Sequence, residues 1–114
     1  MFSRNQRYSF NKGFPAKSIN CDFFNLKYQK NDKGNYFNAF VVPGKIDKRS
    51  VVRHKIKRRY ANALREILKN KDISYDLVFF IKKTSMGKKY GEIKQEIINV
   101  LTKTDILRSE EKSF

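Results

Sequence analysis

The sequence has 114 residues, a length that predicts one domain. It contains 26 Lys or Arg against 11 acids, a formal net charge of +15. This charge predicts an anionic partner, which is nucleic acid, an anionic membrane or an acidic protein. Its longest apolar run, residues 77–81, is far shorter than the roughly 20 residues of a membrane-spanning helix. The start, "MFSRNQRYSF", has no apolar signal-peptide core, and Cys21 is the only cysteine, so we expect a protein of the reducing cytoplasm without an internal disulfide.

The N-terminal segment is basic and aromatic. Phe10 and Phe14 are four positions apart and would share one side of a short helix. Gly13 and Pro15 flank Phe14, and both residue types weaken a helix. The pattern therefore predicts a short helix followed by irregular chain.

Two strands joined by a turn are predicted next. Residues 21–28, "CDFFNLKY", place apolar side chains on one face by alternation, which is typical of a strand. Residues 30–35, "KNDKGN", predict a turn in which Gly34 can take a positive φ angle. Residues 36–42, "YFNAFVV", then predict the returning strand of a hairpin, which the following Pro-Gly pair ends.

The segment from Ser50 to about Leu68 predicts an amphipathic helix, capped by Asp47 or Ser50. At about 100° per residue, its apolar face consists of Val52, Ile56, Tyr60, Ala63 and Ile67. The opposite face consists of His54, Lys55, Arg58, Asn62 and Arg65.

A central strand and a last helix complete the chain. Residues 76–82, "DLVFFIK", are almost continuously apolar, which predicts a strand buried on both faces. A basic loop then leads to a helix over about residues 92–102. A helix between two strands favours the α+β class, with helices packed on a sheet. The single domain is expected to span residues 1–114 and to fray at 1–6 and 108–114.

The positive charge is concentrated in the long helix. In "RSVVRHKIKRR", residues 49–59, five of the last seven residues are Lys or Arg, and no acid lies between Lys48 and Arg65 to form stabilising i,i+4 pairs. Lys48, Arg49 and Arg53 crowd the N-terminal end, where cations oppose the helix dipole. A solvated face is the simplest explanation of a charge run, but phosphate binding at that end explains this placement better.

The signature helix of the bacterial ribonuclease P protein subunit resembles the segment "KIDKRSVVRHKIKRRYANALRE". That family shows a Lys, small and apolar residues, and then Arg-Asn-Arg-Ile-Lys-Arg; the matching positions here are Lys45, Val51, Arg53, Ile56, Lys57 and Arg58. The usual Asn, second Arg, Gly and second Lys are replaced by His54, Lys55, Lys48 and Ile46. A Lys lacks the bidentate fork of Arg, and the charge of a His depends on pH.

The resemblance covers about residues 7–104 and implies a fold of the ribosomal protein S5 domain 2-like kind. Its element order is helix, three strands, helix, strand, helix, with about four strands in the sheet. The crossover through the Ser50 helix is of the rare left-handed β-α-β kind. The resemblance also implies a short strand near residues 17–20, which periodicity alone does not show.

No catalytic constellation is visible in the sequence. His54 is the only histidine, the Asp residues are scattered, and neither a cysteine pair nor a His-x-x-x-His spacing is present for zinc. The resemblance accounts for this, because the family's catalyst is an RNA that uses Mg²⁺, and the protein assists by binding that RNA and the 5′ leader of precursor tRNA. We therefore expect no catalytic or metal-binding residue, and a protein that is monomeric within the ribonucleoprotein.

The basic helix and the segment before it contain the predicted RNA-binding residues, Lys45, Lys48, Arg49, Arg53, His54, Lys55, Lys57, Arg58, Arg59, Asn62 and Arg65. The family's leader site, a cleft between the first helix and the sheet face, implies contacts from Phe10, Phe14 and either Tyr28 or its neighbour Lys27. Aromatic faces suit single strands because bases stack on them, although core packing is an equal explanation for the two Phe residues. The alternative function is a structural RNA-binding protein such as a ribosomal protein; a membrane-surface protein is more distant, because the core needs the apolar helix face.

Overall fold

The computed structural model describes residues 15–32, 34–69, 71, 73–104 and 106–107. In this part of the chain the elements are β1 Lys17–Asn20, β2 Phe24–Lys30, β3 Phe37–Val41, α1 Ser50–Leu68, β4 Tyr75–Ile81 and α2 Tyr90–Lys103. The short strand that the resemblance implies at residues 17–20 is thus confirmed as β1. The predicted N-terminal helix with Phe10 and Phe14 lies outside the described residues.

The strands form a mixed sheet in the order β1-β2-β4-β3. β1 pairs antiparallel with β2, β2 antiparallel with β4, and β3 parallel with β4. α1 joins the parallel pair and is therefore the helix of a strand–helix–strand crossover. These features confirm the α+β class and the four-stranded sheet.

The predicted hairpin between residues 21–28 and 36–42 is wrong, because β4 lies between β2 and β3. Phe79 of β4 is opposite Leu26 on one side and Phe40 on the other. Adjacent strands are about 4.8 Å apart, so β2 and β3 are about twice that distance from each other. The turn itself is present, with Gly34 at a φ of +72°, but the two strands that it connects, β2 and β3, are separated by β4. The central position of β4 confirms the prediction from its continuous apolar run.

The helices pack on one face of the sheet around a cluster of aromatic rings. Phe24 and Phe79 meet edge to face with 5.1 Å between ring centroids, and Phe40 stacks on Phe79 at 5.3 Å. Tyr60 of α1 lies 5.8 Å from Phe24, and its hydroxyl donates a hydrogen bond to the backbone oxygen of Phe23. Burial raises the pKa of Tyr60 well above its usual range. This cluster fixes the position of α1 on the sheet.

α1 has the bounds that its apolar period predicts. Its buried residues are Ile56, Tyr60, Ala61, Ala63, Leu64 and Leu68, while the predicted Val52 and Ile67 are half-buried at the border. The apolar face is therefore wider than predicted and is centred nearer Tyr60 and Leu64. No described helix combines the length and the apolar character that crossing a membrane requires.

Candidate nucleic-acid interface

The outward face of α1, defined here as His54, Lys55, Arg58, Asn62 and Arg65, is exposed along its whole length. All five residues were predicted on this side, so the helix periodicity is confirmed. Glu66, the one acid of α1, accepts hydrogen bonds from the Lys94 ammonium at 2.7 Å and the Tyr90 hydroxyl at 2.8 Å. The hydrogen bond from Lys94 lowers the pKa of the Glu66 carboxyl, and this pairing leaves the positive charge of the outward face unneutralised.

The connection between β3 and α1 brings more cations to the start of the helix. Lys45 and Lys48 are exposed. Arg49 is the N-cap residue, and no side chain caps the helix, so the predicted cap by Asp47 or Ser50 is wrong. Asp47 instead accepts hydrogen bonds from the backbone nitrogen of Arg49 at 2.9 Å and from its guanidinium at 3.0 Å. These bonds lower the pKa of Asp47 to about 2 and keep the Arg49 side chain beside the helix start.

Arg53, a predicted phosphate contact, faces the protein and is half-buried. Its Nη1 atom donates to the backbone oxygens of Asp47 at 3.0 Å and Lys48 at 3.3 Å. The same atom lies 3.6 Å from the place where a Cβ atom on Gly44 would be. Arg53 therefore holds the β3–α1 connection against the first turn of the helix, which also reduces the conflict between its charge and the helix dipole.

Lys57 and Arg59 are half-buried at the borders of the outward face. Arg59 Nη1 donates to the backbone oxygen of Lys88, 3.3 Å away, in the loop between β4 and α2. The sequence could not indicate the contacts of Arg53 and Arg59, because a hydrogen bond to a backbone oxygen leaves no residue pattern. Among the predicted RNA-binding residues, the exposed cations are Lys45, Lys48, Arg49, Lys55, Arg58 and Arg65, of which Arg49 is paired with Asp47.

Lys27 and Tyr28, the alternatives for the leader cleft, lie on opposite faces of the sheet, because side chains alternate along β2. Tyr28 packs against the core on the helix side. Lys27 lies on the other face, with its ammonium 5.9 Å from the centre of the Phe80 ring. A cleft on the face away from the helices can therefore include Lys27 and excludes Tyr28. Phe10 and Phe14 lie outside the described residues.

No three His, Cys, Asp or Glu side chains in the described ranges are close enough together to hold a metal ion. Asp76 is buried and accepts hydrogen bonds from the Gln29 and Asn31 amides, both at 3.0 Å, so it links β2 to β4. Burial raises the pKa of the Cys21 thiol, which disfavours the reactive thiolate. The arrangement of cations is suited to binding phosphates.

These features define a class of protein: a small α+β domain whose sheet supports an exposed cationic helix, as in nucleic-acid-binding proteins. The sequence profile of the family described as Ribonuclease P matches residues 4–105. The chain belongs to this family, which confirms the resemblance of its basic helix.

Known proteins agree with this assignment. The chain is similar to the ribonuclease P protein component of Cyanothece sp., with 35% identity over 66 residues, or 58% of this chain and 50% of the relative. Its fold is similar to that of a Staphylococcus aureus RNase P protein mutant with defective mRNA degradation activity, with a TM-score of 0.70 and 17% identity over 80% of this chain and 76% of that one. The RNase P protein from Thermotoga maritima gives a TM-score of 0.68 and 21% identity, covering 76% of this chain and 82% of that one.

Proposed function

We propose that this chain is the protein subunit of ribonuclease P. It binds the catalytic RNA and the 5′ leader of precursor tRNA, and it assists the endonucleolytic removal of the leader that gives mature tRNA 5′ ends. The catalytic centre belongs to the RNA, which uses Mg²⁺, and one copy of the protein acts in each ribonucleoprotein in the cytoplasm. Family membership over residues 4–105 supports this proposal.

The observation that carries the proposal is the outward face of α1. Lys55, Arg58 and Arg65 are exposed on it, and no ion pair within the described residues engages them. An exposed helix normally gains stability from acids placed four residues from its cations. No such acid lies between Lys48 and Arg65, so the positive charges of this surface are suited to an external anion. The phosphate backbone of RNA provides a regular row of negative charges.

The two sheet faces suggest how the partner RNA and the leader are separated. One face is covered by α1 and α2, so α1 presents its cations on the far side of that layer. Lys27 and Phe80 lie on the other face. A cation beside an aromatic ring suits a single strand, because the ammonium meets a phosphate and a ring face can stack with a base. We therefore assign the leader to the Lys27 face and the catalytic RNA to α1.

Reconstitution tests the proposal. The protein is mixed with a bacterial ribonuclease P RNA and a precursor tRNA, and cleavage at the mature 5′ end is measured over a range of Mg²⁺ concentrations. We expect the protein to raise cleavage efficiency, most clearly at low Mg²⁺, and to be inactive without the RNA. Cleavage by RNA-free protein at that position would show that the catalytic centre has been assigned to the wrong molecule.

Copurified RNA distinguishes the alternative function. After gentle purification from cells, a ribonuclease P subunit should carry the ribonuclease P RNA, whereas a structural ribosomal protein should carry ribosomal RNA. The variant Lys55→Ala with Arg58→Ala, which alters only exposed residues, should lose the RNA. The matched variant Lys30→Ala with Lys103→Ala removes the same charge from exposed positions outside α1 and should retain it.

A further inference from the structure

The loop between β4 and α2 is a second concentration of positive charge. Residues 82–89, named the lysine loop here, contain four Lys and no acid in eight positions. The loop begins with a 3-10 turn at Lys83–Ser85 and turns again at Gly87, whose φ is +82°. The sequence indicates a basic loop here but gives it no role, since it lacks the glycine spacing of a phosphate-binding loop.

Hydrogen bonds hold the lysine loop in one conformation against the turn between β1 and β2. The Lys82 ammonium donates to the backbone oxygen of Cys21 at 2.7 Å. The backbone nitrogen of Lys82 donates to the backbone oxygen of Phe23 at 2.9 Å. The Thr84 hydroxyl donates to the backbone oxygen of Asp22. A loop fixed in this way presents its remaining side chains at little further cost in conformational entropy.

Contacts with α1 place the lysine loop beside the outward face. Arg59, one helical turn after Lys55, donates to the backbone oxygen of Lys88 at 3.3 Å. Just beyond the loop, the Tyr90 hydroxyl and the Lys94 ammonium both bind the Glu66 carboxylate. Residues four apart on a helix lie on the same side. Lys55, which belongs to the outward face, is therefore next to Arg59, which contacts the loop.

Two lysines of the loop remain available to a ligand. Lys83 and Lys89 are exposed, and no ion pair among the described residues includes either one. Lys88 is half-buried, with its ammonium 5.7 Å from the centre of the Phe23 ring. The nearby Glu92 carboxylate accepts a hydrogen bond from the backbone nitrogen of Lys89 at 3.2 Å, so it acts at the start of α2.

We infer that the lysine loop is a second phosphate-binding surface, continuous with the outward face of α1, and that Lys83 and Lys89 contact the backbone of the same RNA. Arg59 is a positioning residue that holds the loop in register with the helix. This inference rests on the proposed function for the identity of the RNA. The contacts and charges of the loop do not depend on that function. Together, the lysine loop and the outward face of α1 would contact more phosphates of an RNA strand than the outward face alone.

The test compares Lys83→Ala with Lys89→Ala against the control Lys30→Ala with Lys103→Ala, using ribonuclease P RNA as the probe. Both control residues are exposed. Lys30 ends β2 and pairs with Tyr75, the first residue of β4, and Lys103 ends α2, so each is about 20 Å from the loop along the neighbouring element. Each phosphate contact contributes about 0.7–0.9 to the log–log salt slope, so losing two should weaken binding roughly 25- to 60-fold at about 0.1 M salt and very little at about 1 M. The control pair should match the wild-type protein.

The outcomes separate the inference from the function it rests on. If the wild-type protein does not bind this RNA, the proposed function fails; if it binds and the loop variant has the wild-type salt slope, the lysine loop is not a binding surface. Thermal unfolding of each variant is measured first, and Lys83→Gln with Lys89→Gln replaces the alanine pair if that pair unfolds early.

A double-mutant cycle tests the role of Arg59. Arg59→Ala is measured in the wild-type protein and in the Lys83→Ala, Lys89→Ala background. A positioning residue should have a much smaller effect on RNA affinity when the two lysines are absent, whereas an independent phosphate contact should have the same effect in both backgrounds. Arg59→Lys retains the charge and N–H donors and should recover part of the affinity. Additive effects would assign Arg59 to the RNA and remove its positioning role.

Discussion

Replacing Arg53 by Ala should lower the stability of the fold more than it lowers RNA affinity directly. The guanidinium of Arg53 makes a hydrogen bond of 3.0 Å and a longer one of 3.3 Å to backbone oxygens before α1. Hydrogen bonds that involve a charged group contribute about 1.5–3 kcal/mol each, and the longer, more exposed bond contributes the least. We therefore expect Arg53→Ala to cost about 2–3 kcal/mol of unfolding free energy. At roughly 4 °C per kcal/mol for a domain of this size, the melting temperature should fall by about 8–12 °C.

Urea unfolding followed by circular dichroism measures the free energy, and a salt titration of RNA binding measures the phosphate contacts. Arg58→Ala is the matched control, because Arg58 is an exposed Arg on the same helix. Its stability should stay within about 0.5 kcal/mol of the wild type, while its salt slope should fall by about 0.7–0.9. Arg53→Lys, which retains the charge and N–H donors on a shorter side chain, should recover part of the lost stability.

An Arg53→Ala protein that unfolds like the wild type but loses salt dependence as Arg58→Ala does would refute this reasoning. It would mean that Arg53 leaves the backbone oxygens of the β3–α1 connection and contacts phosphate. An Arg58→Ala protein with reduced stability would refute the other half, since the Arg58 side chain is assigned no structural contact.

Three further experiments test other parts of the structure. Lys27→Ala should weaken binding of a precursor with a long 5′ leader and not of a leaderless one, whereas Tyr28→Ala should lower the melting temperature; the reverse pattern in binding and melting experiments would exchange their assigned faces. Carbon NMR should show Asp47 titrating near pH 2, and its pKa should return towards the usual value in Arg49→Ala; an unchanged midpoint in the variant would contradict the ion pair. Because the folded-state pKa of Asp47 is lowered, its contribution to stability should be complete above about pH 4 and should be lost as the pH falls towards 2. Tyr60→Phe should cost about 0.5–1.5 kcal/mol in urea unfolding, since the hydroxyl donates one hydrogen bond to the backbone; a loss above about 3 kcal/mol would instead indicate disturbed packing.

The sequence by itself determined the long helix α1 and its exposed side. α1 begins and ends where its apolar period does, and the five residues predicted to face outward are all exposed. This succeeds because the direction of a side chain along a helix depends only on its position in a fixed period. The basic helix also determined the family, because its signature is a contiguous run of residues.

Tertiary structure alone decided the order of the strands. The pattern of β2, turn and β3 favours a hairpin, yet β4 separates the two strands. Strand pairing depends on which edges meet after the whole chain collapses. β4, whose residues are apolar towards both faces, gains the most from the central position. This choice also determines which face α1 and α2 cover, and it places Lys27 and Tyr28 on opposite faces of the sheet.

Tertiary structure also decided which cations are available to RNA. Arg53 and Arg58 belong to the same motif and differ little in sequence context, but only Arg58 is exposed. Arg53 and Arg59 instead donate to backbone oxygens six and 29 positions away along the chain. Backbone oxygens occur at every residue, so the sequence does not indicate which of them will lie within reach of a guanidinium. The folded chain decides that, because it alone sets the distance between a long side chain and a remote peptide group.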